Sequence, residues 1–296
     1  MDVNRLSKEP EKLMLKKPCT FEEQINIFRN RNLTINDEDT AMSMLKRVNY
    51  YRLSAYTLTL KDRDRFFANV LFEDICQLYD FDRKLRNLIL GIMESIEVAF
   101  RTHIAYELAL KYGPLGYEEP NNFVNSEYHQ VFINELNREL ERSNEVFITH
   151  YKSKYDNKFP IWVAVEVTSF GLISKLFSNL KNEDKSSISK GYYNIPYIYI
   201  QSWLMHLAYV RNICAHYGRL YNKVLTYKPK LADKDKNLCI AKDKIFVTLY
   251  VMRQLVKDEI DWNGFIVSIQ ALLEQYSSVD HKLIGFPDNW FELLIK

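Results

Sequence analysis

Residues 72–112 read FEDICQLYDFDRKLRNLILGIMESIEVAFRTHIAYELALKY. Apolar side chains recur there at three- and four-residue intervals: Phe72, Ile75, Cys76 and Tyr79, then Leu85, Leu88, Ile89, Ile92, Met93, Ile96, Phe100, Ile104 and Leu108. No proline interrupts the period, and Gly113-Pro114 supplies a stop. The spacing predicts one long or gently bent helix of roughly 60 Å at 1.5 Å per residue, the spine of the fold. Glu97 and Arg101, four residues apart, share one of its faces and can pair.

Upstream of the spine, Thr20-Phe-Glu-Glu reads as a helix N-cap with acidic residues in the first turn. Asn36 before Asp37, Glu38 and Asp39 repeats that logic, and capping explains the acidic triplet better than a metal site does. Residues 49–67, rich in Tyr and Thr, are ambiguous between a short extended piece and an irregular turn. Downstream, helical period returns over 127–142 and 146–155. Pro160 and Pro196 suit first helical positions, the second helix running to Ile213 with Gly218 as its terminator. Thr168-Ser-Phe-Gly171 offers a break before 172–180, and stretches at 245–256 and 265–276 close the chain. With no internal repeat and no βαβ alternation, the expectation is an all-α protein: a helical N-terminal extension over 1–70 packed on a helical core over 71–296, together one body.

The whole chain agrees with that reading. Its 296 residues are 47% hydrophobic with 4 Trp, 20 Tyr and 17 Phe, which excludes a disordered or low-complexity chain. Only 8 Gly and 8 Pro argue against Gly-rich phosphate loops and turn-dense β-sandwiches. A net charge of +2 leaves any polyanion site to local clustering. Cys19, Cys76, Cys214 and Cys239 form no C-x-x-C and read as reduced thiols. The charged N-terminus has no apolar run of secretory length, and Gln201, Ser202 and His206 interrupt the most apolar stretch, so a soluble cytoplasmic protein away from membranes is expected.

No H-E-x-x-H, G-x-S-x-G or Walker-type G-x-x-x-x-G-K is present, so zinc hydrolysis, serine esterase chemistry and P-loop ATP hydrolysis are poor candidates, and neither metal nor cofactor is expected. Residues 210–222, VRNICAHYGRLYN, are different. Asn212 and His216 are four apart and stack on one face, where Asn212 can orient the imidazole. Arg211 and His216 are five apart, a net rotation of about 140° on an ideal helix, so a joint role needs a distorted helix end or a second copy of the segment. The alternative is that Arg211 pairs with a carboxylate and His216 caps the helix.

The segment RNICAHYGRLYN resembles the R-N-x-x-x-H signature of the HEPN superfamily. Phe21–Ile25, Val48–Ser54, Tyr79–Leu85, Ile96–Tyr106, His150-Tyr151 and Pro160–Val163 followed by Ser169–Gly171 are similar in order and spacing to abortive-infection proteins of the AbiD/AbiF type, so the likeness covers roughly residues 20–225. It implies a HEPN-like helical bundle, a homodimer that unites two motifs, and a metal-independent endoribonuclease acting as a toxin in phage defence. In that role His216 is general base or acid, Arg211 stabilises the pentacoordinate phosphate, and Asn212 holds the histidine or a phosphate oxygen. RNA brings its own 2′-hydroxyl nucleophile, so the chemistry suits these residues. Some HEPN toxins carry a Tyr two places after the motif His that a partner enzyme modifies; here Gly218 takes that place, which puts that route in doubt. Inhibition by a small RNA or by a protein antitoxin is the family's alternative.

Residues 219–244 hold eight basic positions, Arg219 and Lys223 nearest the motif, against three aspartates, and this stretch can draw RNA toward the cleft or be a solvated lysine-rich loop. Lys46, Arg47 and Arg52, interleaved with Tyr50 and Tyr51, resemble a stacking-and-phosphate surface for single-stranded RNA, although tyrosines at such spacing also serve as core. A non-catalytic RNA-binding or scaffolding protein using the same residues is the rival from another class, and a purely structural helical module is the third.

Overall fold

A computed structural model describes residue 15 and residues 17–295; the rest of the charged N-terminal leader lies outside the described residues. The chain divides into two compact units, the first ending at Cys76 and the second beginning at Gln77. Among the described residues the fold is predominantly α-helical, with thirteen α-helices and one two-stranded hairpin.

In the first unit, α1 (Phe21–Asn30) starts on a full capping box in which Thr20 and Glu23 exchange side-chain and backbone bonds. The N-cap of α2 (Glu38–Arg47) is Asp37 rather than Asn36, because its carboxylate takes both the Thr40 N–H and hydroxyl. The ambiguous stretch resolves into α3 (Tyr50–Ser54), a 3₁₀ turn, and the hairpin β1 (Lys61–Asp62) with β2 (Arg65–Phe66). Phe28 centres the core, with rings of Tyr50, Phe72 and Phe66 at 4.9, 5.9 and 6.2 Å.

The spine, α4 (Phe72–Tyr112), is one helix over the full predicted span, and Gly113 follows it in the left-handed region at φ 81°. In the second unit come α5 (Ser126–Arg142), α6 (Val146–Lys154), α7 (Ile161–Ala164), α8 (Phe170–Asn179), α9 (Asn182–Ile188), α10 (Tyr197–Ala215), α11 (Phe246–Leu255), α12 (Glu259–Gln275) and α13 (Trp290–Ile295). Pro160 and Pro196 stand at N-caps, one place ahead of the expected position, since each holds an extended ψ that the helix does not share. The expected break before 172 is a 3₁₀ turn at Val165–Val167, after which Ser169 caps α8. Asp258 caps α12, which begins at Glu259, six residues before the predicted start. The core of this unit is built where α8 meets α10 and α5, with Phe170, Ile173, Leu176, Phe177, Leu204 and Leu207 fully enclosed. No helix among the described residues is long and apolar enough to cross a membrane.

Candidate functional site

The apolar run from Ile200 to Val210 drives α10 into the core and leaves its polar C-terminal turn at the surface. Arg211 and Asn212 lie in that turn, and His216 is the C-cap, donating its backbone N–H to the Asn212 carbonyl at 3.0 Å. A Schellman turn finishes the helix: Tyr217 N–H donates to Cys214 O at 3.1 Å and Gly218 N–H to Ile213 O at 2.7 Å. The left-handed position of such a turn normally falls to glycine, yet Tyr217 holds it at φ 58°. Gly218 does terminate the helix, but through close approach: a Cβ there would sit 2.9 Å from Ile213 Cγ2 and 3.1 Å from the Ile213 carbonyl oxygen.

His216 and Asn212 are exposed and Arg211 is partly so. The bond that joins Asn212 to His216 is the backbone one. Arg211 reaches back instead, its Nε 3.7 Å from Oε2 of Glu97 on α4. Glu97 is only 7% exposed and is shared, because its Oε1 accepts from Arg101 at 2.6 Å, as the four-residue spacing predicts. The Arg101 guanidinium also donates to the Thr168 carbonyl at 2.6 Å and lies 3.8 Å from Glu166. One nearly buried carboxylate therefore holds two guanidiniums, one from each helix. Within a single chain Arg211 is paired to a carboxylate and His216 is at the cap; no hydrogen bond or ion pair joins the two.

The loop after the motif hangs on a buried pair that sequence reasoning missed. Asp82 is fully buried on α4 and pairs with Arg86, one turn on. Asp82 Oδ1 accepts the N–H groups of Tyr221 at 2.7 Å and Leu220 at 3.0 Å, while Arg86 donates to the Gly218 carbonyl at 3.3 Å. An aspartate and an arginine four apart on an otherwise apolar face were the available signal. Cys214, inside the motif, is enclosed beside this pair, and burial pushes its thiol up to about 12, so it stays protonated.

The two basic residues predicted after the motif are tied into this loop. Arg219 donates to the Tyr221 carbonyl at 2.5 Å, and Lys223 is partly buried. Farther along, Lys228 pairs with Asp243 at 3.2 Å, and Lys244 reaches Asn222 at 3.5 Å; the Lys236 side chain lies outside the described residues. The segment is strapped to α10 by Trp203 donating to the Lys230 carbonyl at 2.6 Å and by His206, whose Nδ1 meets the Tyr227 carbonyl at 2.6 Å and whose Nε2 meets Thr248 Oγ1 at 2.9 Å. The structure thus gathers Arg211, Asn212, His216, Arg219 and Lys223 at one end of α10, whereas Arg52 is exposed on α3 of the first unit. Among the described residues no group of three or more His, Cys, Asp or Glu side chains is arranged to hold a metal ion.

The family model described as Abi-like protein matches residues 43–222, a span that includes all of α4 and ends just past the loop that Asp82 and Arg86 hold. No curated protein and no solved structure matches the chain.

Proposed function

The chain belongs to the Abi-like protein family, and from that premise we propose that it is a cytoplasmic endoribonuclease of the HEPN, AbiD/AbiF type that cuts RNA in abortive-infection phage defence. The observation that carries this reading is the end of α10, where His216 is exposed at the helix cap and Arg211, in the same turn, pairs with Glu97 of α4.

The chemistry is transesterification. A His216 imidazole takes the proton of the 2′-hydroxyl, the 2′-oxygen bonds to phosphorus, and the P–O5′ bond breaks as O5′ receives a proton. The products are a 2′,3′-cyclic phosphate and a 5′-hydroxyl. Arg211 faces the added negative charge on the phosphate, and Asn212 holds the imidazole or a phosphate oxygen. Because Arg211 and His216 diverge around the helix, a second copy supplies the complementary residues, and the active species is a homodimer. Cleavage measured in EDTA is expected for the parent protein and lost in His216→Ala and Arg211→Ala; retained cleavage in both variants refutes the assignment.

The ion pair between Arg211 and Glu97, with His216 at the cap, favours a second reading, a purely structural helical module in which neither side chain meets RNA. A His216→Ala protein that loses stability with no separate loss of RNA cleavage or binding would decide for that reading.

A further inference from the structure

The first unit contains a groove of about 870 Å³ that the motif does not touch. Five basic side chains line it, Lys17, Arg31, Lys46, Arg47 and Lys61, against one carboxylate, Asp64, which lies 3.8 Å from Arg31. Clustered cations of this kind concentrate the polyanion field that the chain's net charge of +2 conceals. Aromatic side chains stand among them in two roles. Tyr50 forms part of the floor: its ring lies 4.9 Å from Phe28, and its hydroxyl accepts from Arg31 at 3.3 Å. Tyr51 is 75% exposed, edge-on to Tyr50 at 6.0 Å, and so keeps open ring surface beside the cations. The cap of α3 fixes this placement, since Asn49 Oδ1 accepts the Tyr51 N–H at 2.8 Å.

We propose that this groove binds a single-stranded stretch of nucleic acid, its phosphates along the lysines and arginines and a base stacked on Tyr51. A mixed basic and aromatic channel is the arrangement that binds single strands, because unpaired bases expose their faces while duplexes hide them. A plain polyanion needs no Tyr51, and an apolar ligand needs no ring of cations. That the strand is RNA rests on the ribonuclease reading; the site itself does not.

The test uses full-length His216→Ala protein, which removes turnover, and a fluorescein-labelled single-stranded RNA of roughly 15 nucleotides followed by anisotropy. Lys46→Glu with Arg47→Glu is expected to raise Kd about tenfold or more and to reduce the slope of log Kd against log salt by about 1.4, the share of two phosphate contacts. Tyr51→Ala is expected to raise Kd about fivefold or more with the salt slope unchanged. A duplex RNA of equal length is expected to bind more weakly than the single strand. All three altered residues are exposed, and circular dichroism confirms that each variant is folded. Binding by either variant equal to that of the parent, or duplex binding as tight as the single strand, overturns the proposal. So does an equal loss from Lys154→Glu with Lys158→Glu, an exposed pair in the second unit that matches the change in net charge. The same oligonucleotide as DNA identifies the source: equal affinity means the groove reads phosphate and base alone, and preference for RNA adds the 2′-hydroxyl. Groove binding without cleavage by the parent protein would sink the ribonuclease and leave this site standing; cleavage with unaltered groove binding would do the reverse.

Discussion

Tyr217 sits one residue past His216 at φ 58°, a conformation that costs an L side chain about 1 kcal/mol or more, and a Cβ on the next residue would crowd Ile213. The strain and the steric demand adjoin the residue proposed to move a proton, so small changes here displace it. Gly218→Ala places a methyl 2.9 Å from Ile213 Cγ2 and 3.1 Å from its carbonyl, and it is expected to lower stability by about 1–3 kcal/mol in urea unfolding, with RNA cleavage falling as His216 shifts. An unaltered urea midpoint would show that the turn yields freely. Glu97 acts through other residues. Glu97→Gln keeps an acceptor but removes the charge shared by Arg101 and Arg211, and kcat is expected to drop about ten- to a hundredfold with KM nearly constant if that charge positions Arg211 for the transition state. A change in KM alone would instead mark Arg211 as a ground-state RNA contact.

At the scale of elements, α4 and α10 are coupled by side chains far apart in the chain. Asp82 and Arg86 carry the loop after α10 from a site with almost no solvent, where breaking the pair strands a buried guanidinium and two N–H groups. Asp82→Asn is expected to cost about 3 kcal/mol, whereas Asp80→Asn, which touches only the exposed pair with Arg83, should cost less than about 0.5 kcal/mol. Equal unfolding midpoints for the two variants would refute the clamp. The contrast marks what the sequence makes legible. The apolar period of α4 with its Gly113 stop, the Thr20 capping box and the Glu97–Arg101 pair are local, and spacing is enough to find them. The Arg211–Glu97 pair and the Asp82 anchor are products of tertiary packing; no periodicity within either helix encodes which residue of another element will arrive. Short elements escape for a related reason. In α3 and the hairpin after it, Tyr- and Thr-rich residues suit several conformations, and the core around Phe28 makes the choice. At the groove, the pattern of Lys46, Arg47, Tyr50 and Tyr51 was visible, while the contributions of Arg31 and Lys61 required the fold.

Over the whole chain, all six histidines and all four tryptophans lie beyond residue 100, so both belong to the second unit, and tryptophan fluorescence reports the part of the molecule that histidine titration affects. Burial depresses the pKa of His103, His206 and His281, the effect being largest at His206, which drops to about 4 despite an opposing pull from its bond to the Tyr227 carbonyl. Glu107 near His103 and Asp280 near His281 also oppose the shift without reversing it. A histidine whose folded pKa lies below its unfolded value of about 6.5 binds its proton more readily in the unfolded chain. Stability is therefore intact above pH 6.5 and is lost as pH falls toward 4. A fall from the unfolded value to about 4 makes His206 the largest contributor among these three, on the order of 3 kcal/mol. The carboxylates that the fold holds below their ordinary range, Glu22, Asp37 and Glu183, release their contribution mainly at more acid pH, below about 4.5, so the loss between about pH 7 and 5 belongs chiefly to the histidines. Urea unfolding followed by tryptophan fluorescence at pH 7.0, 6.0 and 5.0 should show the loss in the parent protein. His206→Gln should be less stable at pH 7.0, having lost a bond to Tyr227 or Thr248, yet its stability should change much less on acidification. If the variant and the parent lose stability in parallel, His206 is not the buried titrating group that the packing of α10 against its strap makes it.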